Sequence, residues 1–216
     1  MSSEAVLPEL PAPPEILDPL LETWEAGKPM LRCHNVRFGA TEFNPGLGSG
    51  RFHPFKDRSG YTVPVLYAAD TFDGVLSETV FHGVAIGGRS RFVLHSSLRP
   101  LVVSALRSRR DLVLVQLHGH GLRRLGLDRS VLIDSEADTY ESTARWARAL
   151  HRVNRRLHGL TWVSRQHDTS RALVLFGDRV DRRDLEVAEA PLPLFVGVGL
   201  ERAQAAAEAA GVTIVE

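Results

Sequence analysis

Three residue types within one short stretch could share a reaction. The segment from 50 to 84 reads GRFHPFKDRSGYTVPVLYAADTFDGVLSETVFHGV. Arg51 closes a glycine-rich loop, Tyr67 lies inside an apolar run, and Glu78 follows on a segment of helical pattern. The planar guanidinium of an arginine matches phosphate or carboxylate in two-pronged fashion. A strand-to-helix junction such as the one between Tyr67 and Glu78 is a common place for a pocket to open. Singly, each residue has a more ordinary reading. Glu78 is flanked by Val75, Leu76, Val80 and Phe81, at the apolar border of a helical wheel, where a solvated glutamate is the usual occupant. Tyr67 reads first as core, and Arg51 as a surface loop residue.

Other groupings of reactive side chains stand beside these. The chain has nine histidines. Glu78 and His82 are four apart on one expected helix, and His118 and His120 fall on one face of an expected strand. No HExxH motif occurs and no third ligand stands at metal spacing, so a metal site is not expected. His82 could support Glu78, and His53 could reach a pocket from the arginine loop. No GxGxxG sequence is present, which leaves a Rossmann-type cofactor site without support. Arg145, Arg148, Arg152 and Arg155 recur at helical spacing opposite Trp146 and Leu150. The plain reading is a solvated face, and the sharper one is a docking face for an acidic partner or nucleic acid.

The elements that must carry these residues can be read from periodicity. Residues 1–20 hold five prolines and three glutamates. They suggest an extended or partly helical lead-in, with helix from about Pro14 to Ala26. MLRCHNVRF (30–38) has strand character. GATEFNPGLGSGRFHPF (39–55) is a long Gly/Pro loop, and such loops inside a domain are more often functional than idle. VPVLYAAD (63–70) predicts a buried strand, and Asp70 or Thr71 can cap a helix over Phe72–His82. SRFVLHSS (90–97), PLVVSAL (100–106) and DLVLVQL (111–117) predict strands, and VLID (131–134) a short strand or turn. The clearest helix spans Thr139–Leu157. Asp138 and Glu141 stand at capping-box spacing, and Trp146, Leu150, Val153 and Leu157 form its apolar stripe. GLTWVS (159–164) and ALVLFG (172–177) are further strands, residues 200–210 an Ala-rich helix stopped by Gly211, and VTIVE a last strand. Strands outnumber helices without regular alternation, so the fold class is α+β.

Composition narrows the setting. With 216 residues the chain can bury a core without staples, and its single cysteine, Cys33, excludes an internal disulfide. The 26 basic residues balance 26 acidic ones, which argues against a dedicated nucleic-acid binder. The basic residues are nearly all arginine, a bias that genomic GC content would also produce. No apolar run reaches membrane-spanning length and the N-terminus lacks signal design, so a cytoplasmic setting is expected.

Taken in order, the motifs resemble a known family. GRFHPF, VLYAAD, LSETVFH, the Ser/Thr-bearing helix start YESTARWARALH, and GLTWVSRQ before ALVLF together resemble the RES domain, found in toxins of Xre–RES toxin–antitoxin pairs. The resemblance implies a compact ADP-ribosyltransferase-like fold, with a mixed or antiparallel sheet core and flanking helices. It assigns a catalytic domain to 30–180, an N-terminal extension to 1–29, and a C-terminal extension to 181–216. It implies cleavage of the nicotinamide–ribose bond of NAD, by phosphorolysis with inorganic phosphate or by hydrolysis, without a metal. It also implies growth arrest unless an Xre-type antitoxin blocks the pocket, with nucleic acid engaged only through that partner. Modification of a protein target, or a silent binding module using the Arg-rich helix 145–156, are the alternatives. Position by position, Arg51 matches the family arginine, Glu78 the glutamate, Tyr67 the strand tyrosine, and Arg32 an earlier pocket arginine. The residue after Arg32, where the family has tyrosine or similar, is Cys33. For the serine the resemblance ranks Ser142 first, with Thr143 beside it and Ser164 as the second candidate.

Such a set fits glycosidic cleavage. The reaction passes through an oxocarbenium-like state that a carboxylate stabilises. Arginines can hold pyrophosphate or attacking phosphate, a tyrosine can stack on nicotinamide, and a serine at a helix start sits beside free N–H groups.

Overall fold

The computed structural model describes residues 9–84 and 91–216. It is α+β, as the pattern of elements implies. The elements run β1 (Leu21–Trp24), β2 (Pro29–Asn35), β3 (Val65–Ala69), α1 (Phe72–Ser77), β4 (Phe92–Leu94), α2 (His95–Leu98), β5 (Leu101–Ser108), β6 (Leu112–Gln116), α3 (His120–Arg124), α4 (Arg129–Leu132), α5 (Tyr140–Val153), β7 (Gly159–Val163), β8 (Arg171–Phe176), β9 (Leu185–Val187), β10 (Leu192–Pro193), α6 (Gly197–Ala209) and β11 (Thr213–Val215). The main sheet has the order β1-β6-β7-β8-β3-β2-β5-β10, with β9 also on β5. Its pairs are antiparallel except β6 with β7. A small separate sheet pairs β4 with β11 in parallel.

Alternation along the central strands sends side chains to two buried faces. On β8, Ala172, Val174 and Phe176 pack with Phe52, Trp146, Leu150, Leu160 and Trp162, beneath α5. Leu173 and Leu175 face the other way, against Trp24, Met30, Leu66, Leu106 and Leu114. This is why ALVLF reads as a continuous apolar run: both faces of the strand are covered. A third cluster joins Phe72, Val75 and Leu76 of α1 to Ala203, Ala206 and Ala207 of α6.

The structure corrects several expectations. Part of the stretch expected as helix from Pro14 to Ala26 is strand β1, paired with β6 from Leu21↔Val115 to Trp24↔Leu112. A proline at 19 removes a helix donor there, and the free edge of β6 supplies an alternative. Residues 1–8 of the expected lead-in lie outside the described residues, as does Ser90 of SRFVLHSS. The rest of SRFVLHSS is three residues of strand followed by α2. VLID closes α4, whose start is capped by Asp128 accepting from the Ser130 N–H. α1 is shorter than expected and ends at Ser77. The capping box at Asp138 does not form: a 3-10 turn covers Ala137–Thr139, and Thr139 makes no side-chain cap. On α5, Trp146 and Leu150 are buried as expected, as is Leu157 just beyond its end, but Val153 is 40% exposed. His118 and His120 do not share a strand, because β6 ends at Gln116 and His120 opens α3.

Candidate active site

The site lies where the sheet parts. β2 and β3 are neighbours, yet they pair only at Leu31↔Ala69. Beyond that point β2 continues along β5 and β3 along β8. A cavity of about 310 Å³ opens in the fork, lined by Arg32 and Cys33 of β2, Tyr67 and Ala68 of β3, and Val75, Glu78 and His82 of α1 and its continuation. The loop residues Gly50, Arg51 and His53 close one side, with Tyr140 and Trp162. Four of the residues singled out in the sequence therefore meet on one cavity: Arg32, Arg51, Tyr67 and Glu78.

Each is held by identifiable contacts. Arg51 is 4% exposed. Its Nη1 donates to the Leu132 carbonyl at 3.2 Å, the Ser135 carbonyl at 3.1 Å and the Ser135 hydroxyl at 2.8 Å. Its backbone carbonyl accepts from the Thr143 hydroxyl. The guanidinium also lies 5.6 Å from the centre of the Tyr140 ring. Burial lowers its pKa, against the opposing pull of Tyr140 and Glu78, but an arginine keeps its charge. Gly50 lets this loop fold tightly, because a Cβ there would lie 2.5 Å from Cε1 of His53.

Tyr67 is fixed through its hydroxyl. It accepts from the Phe52 N–H at 3.0 Å and lies 3.1 Å from Nδ1 of His53. Burial pushes its pKa well up, so it acts as a neutral phenol. Arg32 donates from Nη1 to the carbonyls of Ala40 at 2.8 Å and Glu42 at 2.5 Å. Burial brings its pKa down to about 10, which still leaves it cationic at neutral pH. Burial drives the neighbouring Cys33 thiol up to about 11, so it is no thiolate nucleophile near pH 7.

Glu78 is the residue immediately after α1, not one within it. The helix is capped at its start by Thr71, whose hydroxyl accepts from the Gly74 N–H at 3.0 Å. Asp70, the other capping candidate, instead accepts from the Ser170 hydroxyl at 2.6 Å and the Arg171 N–H at 2.9 Å. Glu78 is half-buried, and its Oε1 accepts from the Arg165 N–H at 3.3 Å. His82 hydrogen-bonds the Tyr140 hydroxyl through Nε2. Burial, partly offset by Glu78, lowers the His82 pKa and keeps the ring neutral near pH 7.

The serine candidates fare differently. Ser142 does not line the cavity; its hydroxyl accepts from Nη2 of Arg145 at 2.7 Å on the outer side of α5. Ser164 is fully buried and also absent from the cavity wall. Thr143 is buried and bears on the site only through the Arg51 carbonyl. The serine hydroxyl that reaches the Arg51 guanidinium is that of Ser135, which the sequence reading missed. Tyr140 was missed as well, although it begins the helix that was picked out. Among the described residues no group of three or more His, Cys, Asp or Glu side chains could hold a metal ion.

The electrostatic layout is now plain: two buried arginines and one carboxylate share a small cavity with neutral aromatics. The chain matches the sequence model of the RES domain over residues 29–195. It belongs to the RES domain family. The match spans β2 through β10 and therefore every residue of the cavity. A chain of the "Crystal structure of the M.tuberculosis MbcT-MbcA toxin-antitoxin complex" is similar in fold, with a TM-score of 0.56 and 16% identity over 79% of this chain and 86% of that one. A comparison with curated proteins gives no match. Among the described residues, no helix of this RES domain protein is long and apolar enough to cross a membrane.

Proposed function

We propose that this cavity binds NAD and breaks its nicotinamide–ribose bond. The observation that carries the reading is the convergence of Arg32, Arg51, Tyr67 and Glu78 on one cavity within the RES domain. The cavity's free valences suit such a substrate. Among the described residues the Arg51 Nε and Nη2 have no protein partner, so one edge of the fork remains for a phosphate or ribose oxygen. The buried indole N–H of Trp162, on the cavity wall, likewise has no protein acceptor.

Nicotinamide leaves NAD as a neutral molecule, so departure needs no general acid. The cost lies in the positive charge that develops on the ribose. Glu78 stabilises that charge and is the group able to take the proton from an attacking water. With water the products are ADP-ribose, nicotinamide and a proton. With inorganic phosphate they are ADP-ribose-1″-phosphate and nicotinamide, and the cationic edge of Arg51 would orient the attacking anion. Product analysis with and without phosphate separates the two.

The biological reading is a toxin held in check by a protein antitoxin of Xre type covering the cavity. The structural neighbour is a chain of a toxin–antitoxin complex, which supports it. Expression of the chain alone should deplete cellular NAD and stop growth, and Glu78→Ala should abolish both effects. Normal NAD levels under wild-type expression would remove this reading.

A further inference from the structure

The cavity described above is small for a dinucleotide. At about 310 Å³ it lies at the lower end of the roughly 300–1,000 Å³ that ligand sites occupy. One nucleotide's worth of ligand must extend beyond it. Two hollows adjoin the cavity. One, of about 160 Å³, shares Arg32 and Asn44 with it. The other is a groove of about 540 Å³ that shares Ser49, His53 and Tyr140. The groove is the larger and differs in chemistry. Pro54, Phe55 and Ala144 give it an apolar wall, and Lys56, Arg58, Arg145 and Arg148 surround it with cations.

Those cations make no ion pair among the described residues, although Arg58 Nη2 donates to the Arg152 carbonyl at 3.3 Å. Among the described residues, eight other arginines pair with carboxylates, but none of Lys56, Arg58, Arg145 and Arg148 does. Two carboxylates also line the groove, Asp57 and Glu141. Asp57 is turned into its own turn, accepting from the N–H groups of Ser59 at 2.8 Å and Tyr61 at 3.0 Å. Arg145 is oriented by its bond to Ser142. Tyr140 belongs to both hollows, and Arg145 and Arg148 lie about 7.5 and 12 Å further along the same helix at 1.5 Å per residue. The cations thus stand at the far end of a path that begins at the reacting centre.

We propose that the preferred substrate is the 2′-phosphorylated dinucleotide, NADP, with its adenylate half in this groove and its 2′-phosphate held by Arg145 and Arg148. The inference rests on reading the cavity as a site of nicotinamide–ribose cleavage. The apolar wall accepts the adenine face, and arginine forks suit a terminal phosphate. A 2′-hydroxyl offers these exposed arginines no charge to pair with, so only the phosphorylated dinucleotide gains charge-assisted hydrogen bonds there.

The test compares nicotinamide release from NAD and NADP by the purified full chain, alongside Arg145→Ala/Arg148→Ala. Both positions are exposed, so the fold should survive, which circular dichroism checks. Wild type should favour NADP in kcat/KM by at least tenfold, and the double variant should lower that ratio at least tenfold, through KM. A wild-type ratio of one or below, or a ratio unmoved in the variant, overturns the proposal. If neither dinucleotide is consumed, the cleavage reading fails by itself. Calorimetry with 2′-phospho-ADP-ribose against ADP-ribose then still reads the groove. Tighter binding of the phosphorylated ligand, lost in the double variant, supports it; equal binding, or none, overturns it.

Discussion

Arg51 is the residue on which the site's geometry turns. Its Nη1 is tied to the segment from Leu132 to Ser135, so its other edge is aimed by a backbone more than eighty positions away in sequence. The Ser135 hydroxyl is one of the three anchors. Losing a hydrogen bond to a charged group costs about 1.5–3 kcal/mol, which is roughly tenfold or more in rate if the group acts in the transition state. Ser135→Ala should therefore lower kcat/KM for dinucleotide cleavage roughly tenfold or more, whereas Ser142→Ala should change NAD cleavage less than about threefold. A larger loss from Ser142 than from Ser135, in steady-state assays, would contradict the placement. Arg32, Arg51, Tyr67 and Glu78 were legible because short motifs carried them in order. Ser135 was not, because VLIDSEAD has no periodicity and a lone serine signals nothing until Arg51 is seen beside it.

Among the elements, the diverging pair β2 and β3 makes the cavity and α5 closes it. The α5 core face was visible in the 3.6-residue period, and its buried members explain what holds the helix down. Truncating Leu150, which is fully buried, should cost about 2–5 kcal/mol. For a domain of this size that is a fall in melting temperature of about 2–4 °C per kcal/mol. Val153→Ala, expected from period alone to behave alike, should stay within about 0.5 kcal/mol because the side chain faces solvent. Thermal melts of the two variants check this. Strand β1 shows where period fails. Its residues LETW alternate weakly, with Trp24 the one buried side chain, and only pairing with β6 makes the segment a strand. The early end of α1 has the same character: LSETVFH is helical in pattern, but after Ser77 the chain turns off, with the Thr79 and Phe81 N–H groups both bonding back to the Leu76 carbonyl at 3.2 and 2.9 Å. The fork between β2 (PMLRCHN) and β3 (VLYAA) left no trace in the sequence, since neither strand's residue pattern says which neighbour it pairs with or where that pairing stops.

At the scale of the molecule, burial sets the acid limit of stability. His34, His53, His82 and His158 all have pKa values lowered, in each case chiefly by burial. Unfolding returns each ring to an ordinary value of about 6.5. Between the lowered and the ordinary value the unfolded chain binds protons that the folded chain does not, so acid favours unfolding. Stability should be at its plateau above about pH 6.5 and should fall as pH drops below it, before carboxylate protonation near pH 4 begins. Melting temperatures flat from pH 7 to 5 would contradict this. The same titration should reach the site, because His82, which hydrogen-bonds the Tyr140 hydroxyl, becomes a cation facing Arg51 and Arg165 when it is protonated. The central claim of the proposed function is that the molecule cleaves a nicotinamide–ribose bond with Glu78 as the charge-stabilising carboxylate. Release of nicotinamide from NAD by the purified chain, wild type against Glu78→Gln, tests it most directly. The account predicts release by the wild type and a loss of at least about a hundredfold in the variant, the scale of removing a preorganised charge-stabilising group. No release by the wild type, or equal release by the two, would contradict it.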